Sequence, residues 1–438
     1  MVGVELKSRS NGIHLSESLE ELKELASTAG ADVIGKGVQK LAAPTAATFI
    51  GPGKADELAA SCREQDIDTV IFDDELSPAQ TRNLERIFEC KILDRTSLIL
   101  DIFARRARTR EGKLQVELAQ LQHLLPRLTR FWGHLSRQKG GIGMRGGEGE
   151  TQLETDRRRV QDRIARITEE LDVVRRQRTT QRAGRQRQHW PLASIVGYTN
   201  AGKSTLLNKL TGAATLVEDK LFATLDPTTR RLRLPTNQNV LLTDTVGFIR
   251  KLPHRLVESF KATLEEVVEA DLLLHVVDVS HPQADEQIQA VNSVLDEIGA
   301  ANKPTLMIFN KVDLLKDPAV LYRFVQQFPN AVGISATTGE GIPQLMQELG
   351  SQLRPHRDLV ALKVPYKDSA VVARLHALSQ VVEQKFEGSN VRLKVHLPPY
   401  LRADFARWIV DGEKGNGRVN GRKVRVLPAA RAEHTEKQ

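Results

Sequence analysis

Gly197-Tyr-Thr-Asn-Ala-Gly-Lys-Ser204 has the spacing G-x-x-x-x-G-K-S. Its terminal glycines let backbone N–H groups curl around an anion at a helix N-terminus. Lys203 offers a cation to β- and γ-phosphates, and Ser204 offers Mg²⁺ a hydroxyl. The apolar run Leu192 to Val196 precedes the motif and the helical run Lys203 to Leu210 follows it. That is the context a phosphate loop requires. Asp244-Thr-Val-Gly247 follows the apolar run Val240 to Leu242. Asp244 is placed there to hold the Mg²⁺ shell, and Gly247 to give its N–H to a γ-phosphate. Asn310-Lys-Val-Asp313 follows Thr305 to Phe309. A carboxylate at Asp313 accepts both the N1–H and the N2 amine of guanine, a donor pair that adenine lacks. Lys311 can lie over the base. Ser335-Ala-Thr337 follows Ala331 to Ile334 and can offer guanine O6 a backbone N–H. Each motif alone has a plainer, less favoured reading as a turn after a strand. Four in order, each behind an apolar strand, predict a GTP and GDP site.

Hydrolysis needs a sensor of the γ-phosphate and a positioned water. The sensor belongs in Lys220 to Arg230, between the first two motifs. Thr224 is the preferred hydroxyl and a second Mg²⁺ ligand beside Ser204. Thr228 and Thr229 compete, and spacing does not decide among them. Many GTPases place a water-orienting Gln directly after D-x-x-G, whereas this chain has Phe248, so slow intrinsic turnover is expected. Lys203, Thr224 and Asn200 are the candidate catalytic residues. Asn200 has two readings: it braces the loop, or it holds a K⁺ where an arginine finger would bring charge.

The elements that must position these residues follow from pattern. Residues 190–355 alternate strand and helix, as a Ras-like doubly wound domain should. Residues 1–104 read as an N-terminal α/β domain. Its predicted elements are a helix from Ser16 (as N-cap) to Ala29, a strand at Asp68 to Asp73, a helix from Ser77 to Glu89, and a strand at Lys91 to Leu93. Gly51-Pro-Gly-Lys54 reads as a turn. Residues 105–189 differ. Leu114, Leu118, Leu121, Leu125 and Leu128 form one heptad seam, and Leu153, Val160, Ile164, Ile167, Leu171 and Val174 a second. The glycine-rich stretch 137–149 separates them, so an antiparallel helical hairpin with a contact loop is expected, with Pro126 kinking or ending its first helix. Residues 356–411 read as a small strand-helix-strand-helix α/β domain, and 412–438 as a mobile tail.

Of the 438 residues, 40% are hydrophobic and 27% charged, as in globular domains. No apolar run approaches the ~18 residues of a membrane span. No secretory leader is read at the polar start, and two cysteines, Cys62 and Cys90, fit a reducing cytosol. A cytoplasmic monomer is expected. Between Arg105 and Arg187 lie 21 Lys+Arg against 10 Asp+Glu, a net of +11 in a chain of net +8. Such concentration favours a nucleic acid partner over anionic membrane or a plain solvated face. The exposed hairpin positions are Arg and Gln, whereas lipid-inserting helices need aliphatic or aromatic ones. A nucleotide-gated adaptor for a protein or peripheral-membrane partner is the alternative function.

These motifs together resemble the HflX family of bacterial translation-associated GTPases. The resemblance rests on the phosphate loop, Phe222-Ala-Thr-Leu-Asp-Pro-Thr-Thr, Asp244-Thr-Val-Gly-Phe and Asn310-Lys-Val-Asp. It extends to Asp94-Arg-Thr-Ser-Leu-Ile-Leu-Asp and to Gly140-Gly-Ile-Gly-Met-Arg-Gly-Gly-Glu-Gly-Glu-Thr-Gln-Leu-Glu154. It implies Thr224 as the switch threonine, with Phe222, Ala223, Leu225 and Asp226 counted in the nucleotide site. It implies binding to the large ribosomal subunit and its RNA, with the hairpin loop near the peptidyl transferase region. Splitting of stalled or idle ribosomes under stress is the associated role.

Overall fold

The computed structural model describes residues 1–6, 12–128, 148–186, 190–212, 221–236, 238–251, 261–328, 330–353, 358–397 and 401–410. It divides into two compact units, Met1–Leu353 and Arg354–Gln438.

The first unit opens with β1 (Val2–Leu6), α1 (Gly12–Thr28), β2 (Gly37–Leu41), α2 (Pro52–Glu64), β3 (Thr69–Phe72), α3 (Pro78–Phe88), β4 (Lys91–Asp94) and α4 (Arg95–Arg106). The four strands make a parallel sheet in the order β2-β1-β3-β4. Ser77 caps α3 through a reciprocal box with Gln80, and Pro78 occupies the first turn. Asp94 caps α4 by accepting the Ser97 N–H at 2.9 Å. The structure departs from expectation at three places. α1 begins at Gly12, so Ser16 lies inside it rather than at its cap. Gly51-Pro-Gly-Lys54 is not a free turn: Gly51 caps α2 and Pro52 starts it, where a missing N–H costs nothing. Strands β1 and β2 stand where pattern predicts none.

α5 (Arg110–Leu128) and α6 (Glu148–Gln186) form the hairpin. Leu114 and Leu118 bury against Ile167 and Leu171 from the opposing seam, with Leu121 and Ile164 packed beside them. Arg110 pairs with Glu170 at 3.0 Å and Arg163 with Glu117 at 2.7 Å, an antiparallel register. Pro126 sits in the last turn of α5 without ending it. Its ring displaces only the bond to residue 122, a loss tolerable near a terminus. Most of the glycine-rich stretch, 137–147, lies outside the described residues, as does the tail 412–438.

β5 (Leu192–Gly197), α7 (Lys203–Thr211), β6 (Thr228–Arg233), β7 (Asn239–Asp244), α8 (Lys261–Val268), β8 (Leu272–Asp278), α9 (Ala284–Glu297), β9 (Thr305–Asn310), α10 (Pro318–Gln327), β10 (Ala331–Gly333) and α11 (Ile342–Gln352) complete the unit. Their sheet runs β10-β9-β8-β5-β7-β6, parallel except for β6. The ends of β5, β7, β9 and β10 carry the four motifs to one edge, where doubly wound sheets bind ligands.

The second unit holds β11 (Asp358–Pro365), α12 (Ser369–Leu378), β12 (Gln380–Glu387), β13 (Asn390–Leu397) and α13 (Arg402–Phe405). A hairpin, turning at Gly388 with φ of +56°, stands where one strand is expected from pattern.

Candidate nucleotide site

Gly197 and Gly202 are required by close approach. A Cβ on Gly197 would lie 2.2 Å from the Val276 carbonyl, and one on Gly202 would lie 2.3 Å from Asn310 Nδ2. Between them Asn200 adopts φ of +60°, a conformation Asn tolerates better than most residues. The loop edges a cavity of about 470 Å³ lined by Thr199, Asn200, Gly202, Lys203, Ser204, Phe222, Ala223, Thr224, Thr245, Gly247, Asn310, Lys311, Asp313, Ala336 and Thr337. One cavity thus joins residues from all four motifs and the switch segment.

Lys203 is buried, and its ammonium donates to the Tyr198 carbonyl at 2.6 Å. Burial pushes that amine down to about 8, against the opposing pull of Asp244. Beneath it His275 is buried and neutral, lowered to about 4 by burial and then by Lys203. Asn310 ties three motifs: its Nδ2 donates to the Ala201 carbonyl at 2.8 Å and its Oδ1 accepts the Ala336 N–H at 3.0 Å. Lys311 has φ of +65° and pairs with Asp278 at 2.6 Å. Asp313 follows on a single 3₁₀ turn with its carboxylate exposed to the cavity.

The Ser204 hydroxyl lies 2.6 Å from Asp244 Oδ2 and 2.8 Å from Thr224 Oγ1. Asp244 Oδ1 is buried without a partner, and burial pushes this carboxyl up despite Ser204 and Lys203. Two hydroxyls and a carboxylate with an orphaned oxygen suit a hard divalent cation. Of the three candidate threonines, Thr224 is the one beside Ser204. Thr229 faces Thr243 at 2.9 Å on the sheet, and Thr228 lies at the start of β6. Phe248 is buried in the core, with its N–H on the Gly197 carbonyl and its carbonyl receiving the Thr199 N–H. It presents no polar group to a water.

Three family models match the chain in succession. The GTP-binding GTPase N-terminal model matches residues 16–104, the GTP-binding GTPase middle region 106–185, and 50S ribosome-binding GTPase 193–311. GTPase HflX of Escherichia coli (strain K12) is 49% identical over 385 residues, covering 87% of this chain and 90% of that protein. The chain belongs to the HflX family. GTPase HflX of Chlamydia pneumoniae is 44% identical, covering 90% of this chain and 84% of its own. A solved GTP-binding protein of Sulfolobus solfataricus in complex with GDP covers 80% of this chain at 24% identity, with a TM-score of 0.41, too slight a likeness to argue from. HflX membership and the GTPase domain make this chain a GTP-hydrolysing enzyme.

Several residues expected in the nucleotide site of this HflX-family chain also make contacts outside the cavity. The Asp226 carboxylate accepts the N–H of Arg108 at 2.9 Å, that of Thr109 at 3.0 Å, and the Thr109 hydroxyl. That carboxylate is engaged at the start of α5. Gly112 permits the approach, since a Cβ there would lie 2.3 Å from Asp226 Oδ1. Phe222 packs edge-on to Phe103 of α4, ring centroids 4.7 Å apart, and Leu225 is buried in the same core. Gly197, Tyr198, Ala201, Val246, Val312 and Ser335 shape the backbone around the cavity without lining it.

The Tyr198 hydroxyl donates to Glu21 of α1 and accepts the Arg250 N–H at 2.9 Å. Burial and then Glu21 push that phenol up. Glu21 also pairs with Arg95, which is only 2% exposed and bonds Asp73 at 2.7 Å. Asp73 further accepts Ser18 at 2.7 Å and Lys251, just past the second motif, at 2.6 Å. Sequence offers no signal for this network beyond an apolar strand ending in Asp73. Burial alone would raise the Asp73 carboxyl, but Arg95 and Lys251 outweigh it and hold it below the usual carboxylate range. A carboxyl held low in the fold stabilises fully above the unfolded value of ~4 and loses that contribution as pH falls through the folded value. Asp73→Asn should therefore cost ~3 kcal/mol at pH 7. Melting curves should show the gap to the parent chain narrowing below pH 4, and a pH-independent gap would refute the assignment.

Proposed function

We propose that this chain is a GTP-driven switch that binds the large ribosomal subunit and splits stalled or idle ribosomes under stress. The observation that carries the reading is the hold of the Asp226 carboxylate on Arg108 and Thr109, directly before α5. One short segment offers Thr224 to the nucleotide and Asp226 to the base of the hairpin that carries the chain's largest positive excess. The match to the 50S ribosome-binding GTPase family agrees with it. In the reading, Ser204, Thr224 and Asp244 would hold Mg²⁺, which would supply positive charge beside the phosphates. Lys203 leaves the Tyr198 carbonyl for the β- and γ-phosphates, and the Gly247 N–H meets the γ-phosphate. A Cβ at Gly247 would fall 2.8 Å from Thr199 and 3.1 Å from Lys203 Nζ, so only glycine lets that backbone approach. GTP would order residues 220–229 and 244–258, of which 220 and 252–258 lie outside the described residues.

Co-sedimentation with large subunits tests the reading, comparing a GTP analogue, GDP and no nucleotide. Arg137, Lys139 and Arg145, in the loop outside the described residues, supply the matching variant. Replacing all three with Ala should weaken ribosome binding at least tenfold and leave GTP affinity unchanged. The slope of log affinity against log salt should flatten by about 0.7–0.9 for every phosphate that is no longer neutralised. Equal sedimentation in all nucleotide states, or an indifferent triple variant, would count against the reading.

Because Phe248 orients no water, hydrolysis by the isolated chain is slow and ribosomes accelerate it. Asn200 lines the cavity, and in this reading its side chain helps hold a K⁺. Turnover should run faster in K⁺ than in Na⁺, and Asn200→Ala should erase the difference. A parent chain equally fast in both salts would reduce Asn200 to a brace.

A further inference from the structure

A second cavity, of about 290 Å³, shares Thr199 and Asn200 with the nucleotide cavity. One wall of it is α1. Glu17, Glu20, Glu21 and Glu24 line it there, three and four residues apart, as one helix face requires. Asp278 and Arg250 bring the lining to five carboxylates and one guanidinium.

Part of that excess is compensated. Glu20 pairs with Lys36, Glu21 with Arg95 and Asp278 with Lys311, while Arg250 is taken by Glu286. Glu17 is left otherwise, for its Oε2 is buried and accepts no hydrogen bond. A carboxylate oxygen removed from water without a donor is costly. His281, in the same lining, brings no charge to relieve it. Its Nδ1 accepts the Gln283 N–H at 3.1 Å, and burial pushes the ring below its ordinary value, so it stays neutral at pH 7.

Thr199 supplies a second buried oxygen. Its side chain is 6% exposed, and its hydroxyl too has no partner. Its methyl is turned to Gly247 in the nucleotide cavity, 2.8 Å from where a Cβ would stand there. That leaves the hydroxyl for the cavity under α1. Two buried acceptors beside a carboxylate wall call for a donor that is also a cation.

The spacing of the wall decides which cation. Its carboxylates follow one another by helical turns of ~5.4 Å, too far apart to close together on one ion. Among the described residues no three His, Cys, Asp or Glu side chains converge to hold a metal. The wall matches ammonium groups strung along a chain, because a three- or four-carbon spacer sets neighbouring amines about one helical turn apart. Leu221 and Pro282 in the lining suit the methylenes between them.

We infer that this cavity binds a linear alkyl polyamine, its leading ammonium donating to Glu17 Oε2 and Thr199 Oγ1 and the next lying along the glutamate face of α1. The chain's net charge of +8 disfavours polyamines over the surface at large, so binding concentrates here. The inference does not rest on the ribosome reading.

Calorimetric titration of spermidine into the nucleotide-free full chain tests it, nucleotide being left out because triphosphates bind polyamines themselves. One saturable site is expected at physiological salt. Spermidine acetylated at both ends keeps the length without the terminal charges and should bind at least tenfold more weakly. Glu17→Gln should lower spermidine affinity about tenfold and Thr199→Val about threefold. Glu64→Gln, on the exposed end of α2, should leave it unchanged. GTP affinity should be unaltered in Glu17→Gln, which also shows that it folds. Absence of a saturable site would overturn the inference. So would equal binding of the acetylated probe, a comparison that needs no variant. An equal loss in Glu64→Gln would do the same, since binding would then follow bulk charge rather than the cavity.

Discussion

Asp313→Asn should convert this GTPase from guanine to xanthine nucleotides. In the parent chain the exposed Asp313 carboxylate waits at the cavity edge on a turn pinned by the Val312 N–H to the Ile334 carbonyl at 3.2 Å. Guanine brings two donors to that acceptor. An amide keeps the shape, loses the charge, and sets an N–H₂ against the guanine amine. Each charge-assisted bond contributes ~1.5–3 kcal/mol, so GTP affinity should fall roughly 10²–10³-fold. Xanthine carries an acceptor in place of the amine and should recover most of the loss. Equilibrium binding of GTP, XTP and ATP to both proteins decides the matter. A parent chain that holds ATP as tightly as GTP in this cavity would remove the basis for the base assignment.

The second large effect concerns coupling rather than affinity. Asp226→Ala removes the acceptor of two N–H groups and a hydroxyl at the start of α5 while leaving Thr224 in place. GTP affinity should change less than threefold. The ratio of ribosome affinities in GTP and GDP should fall about tenfold, ~1.4 kcal/mol of coupling. Thr109→Val should act in the same direction, and the double variant should add little, because both break the same link. Gly112→Ala should reproduce the effect from the other side by driving Asp226 away. An unchanged ratio in Asp226→Ala would place the coupling at Tyr198 and Lys251 instead.

Much of this site is written locally. A phosphate loop lies within eight consecutive residues and needs only the strand before it, so residue types and order locate Lys203, Ser204, Asp244 and Asp313. What sequence does not separate is the use of neighbouring residues within one motif. Thr224 and Asp226 are two residues apart, yet one faces Ser204 and the other a helix start more than a hundred residues earlier. Tyr198 belongs to the phosphate loop by spacing and to the N-terminal domain by its hydroxyl. These assignments depend on which remote surface the fold presents, and no period or spacing encodes that. Strands β1 and β2 escape pattern for a related reason. Val-Gly-Val-Glu-Leu and Gly-Val-Gln-Lys-Leu are short and alternate weakly, and only parallel pairing with distant partners makes them strands. The hairpin is legible because heptad seams repeat often enough to be unambiguous.

The hairpin also has leverage. Its helices are locked in register by Arg110–Glu170 and Arg163–Glu117, so they tilt as one beam. Asp226 grips that beam at its root, next to Arg110. From Glu170 to Glu148 the second helix extends ~33 Å at 1.5 Å per residue. A tilt of about 5° at the root therefore sweeps the far end through ~3 Å, the length of a hydrogen bond. A root movement of that size, were the switch segment to make one, would reach the far end as a displacement of hydrogen-bond length.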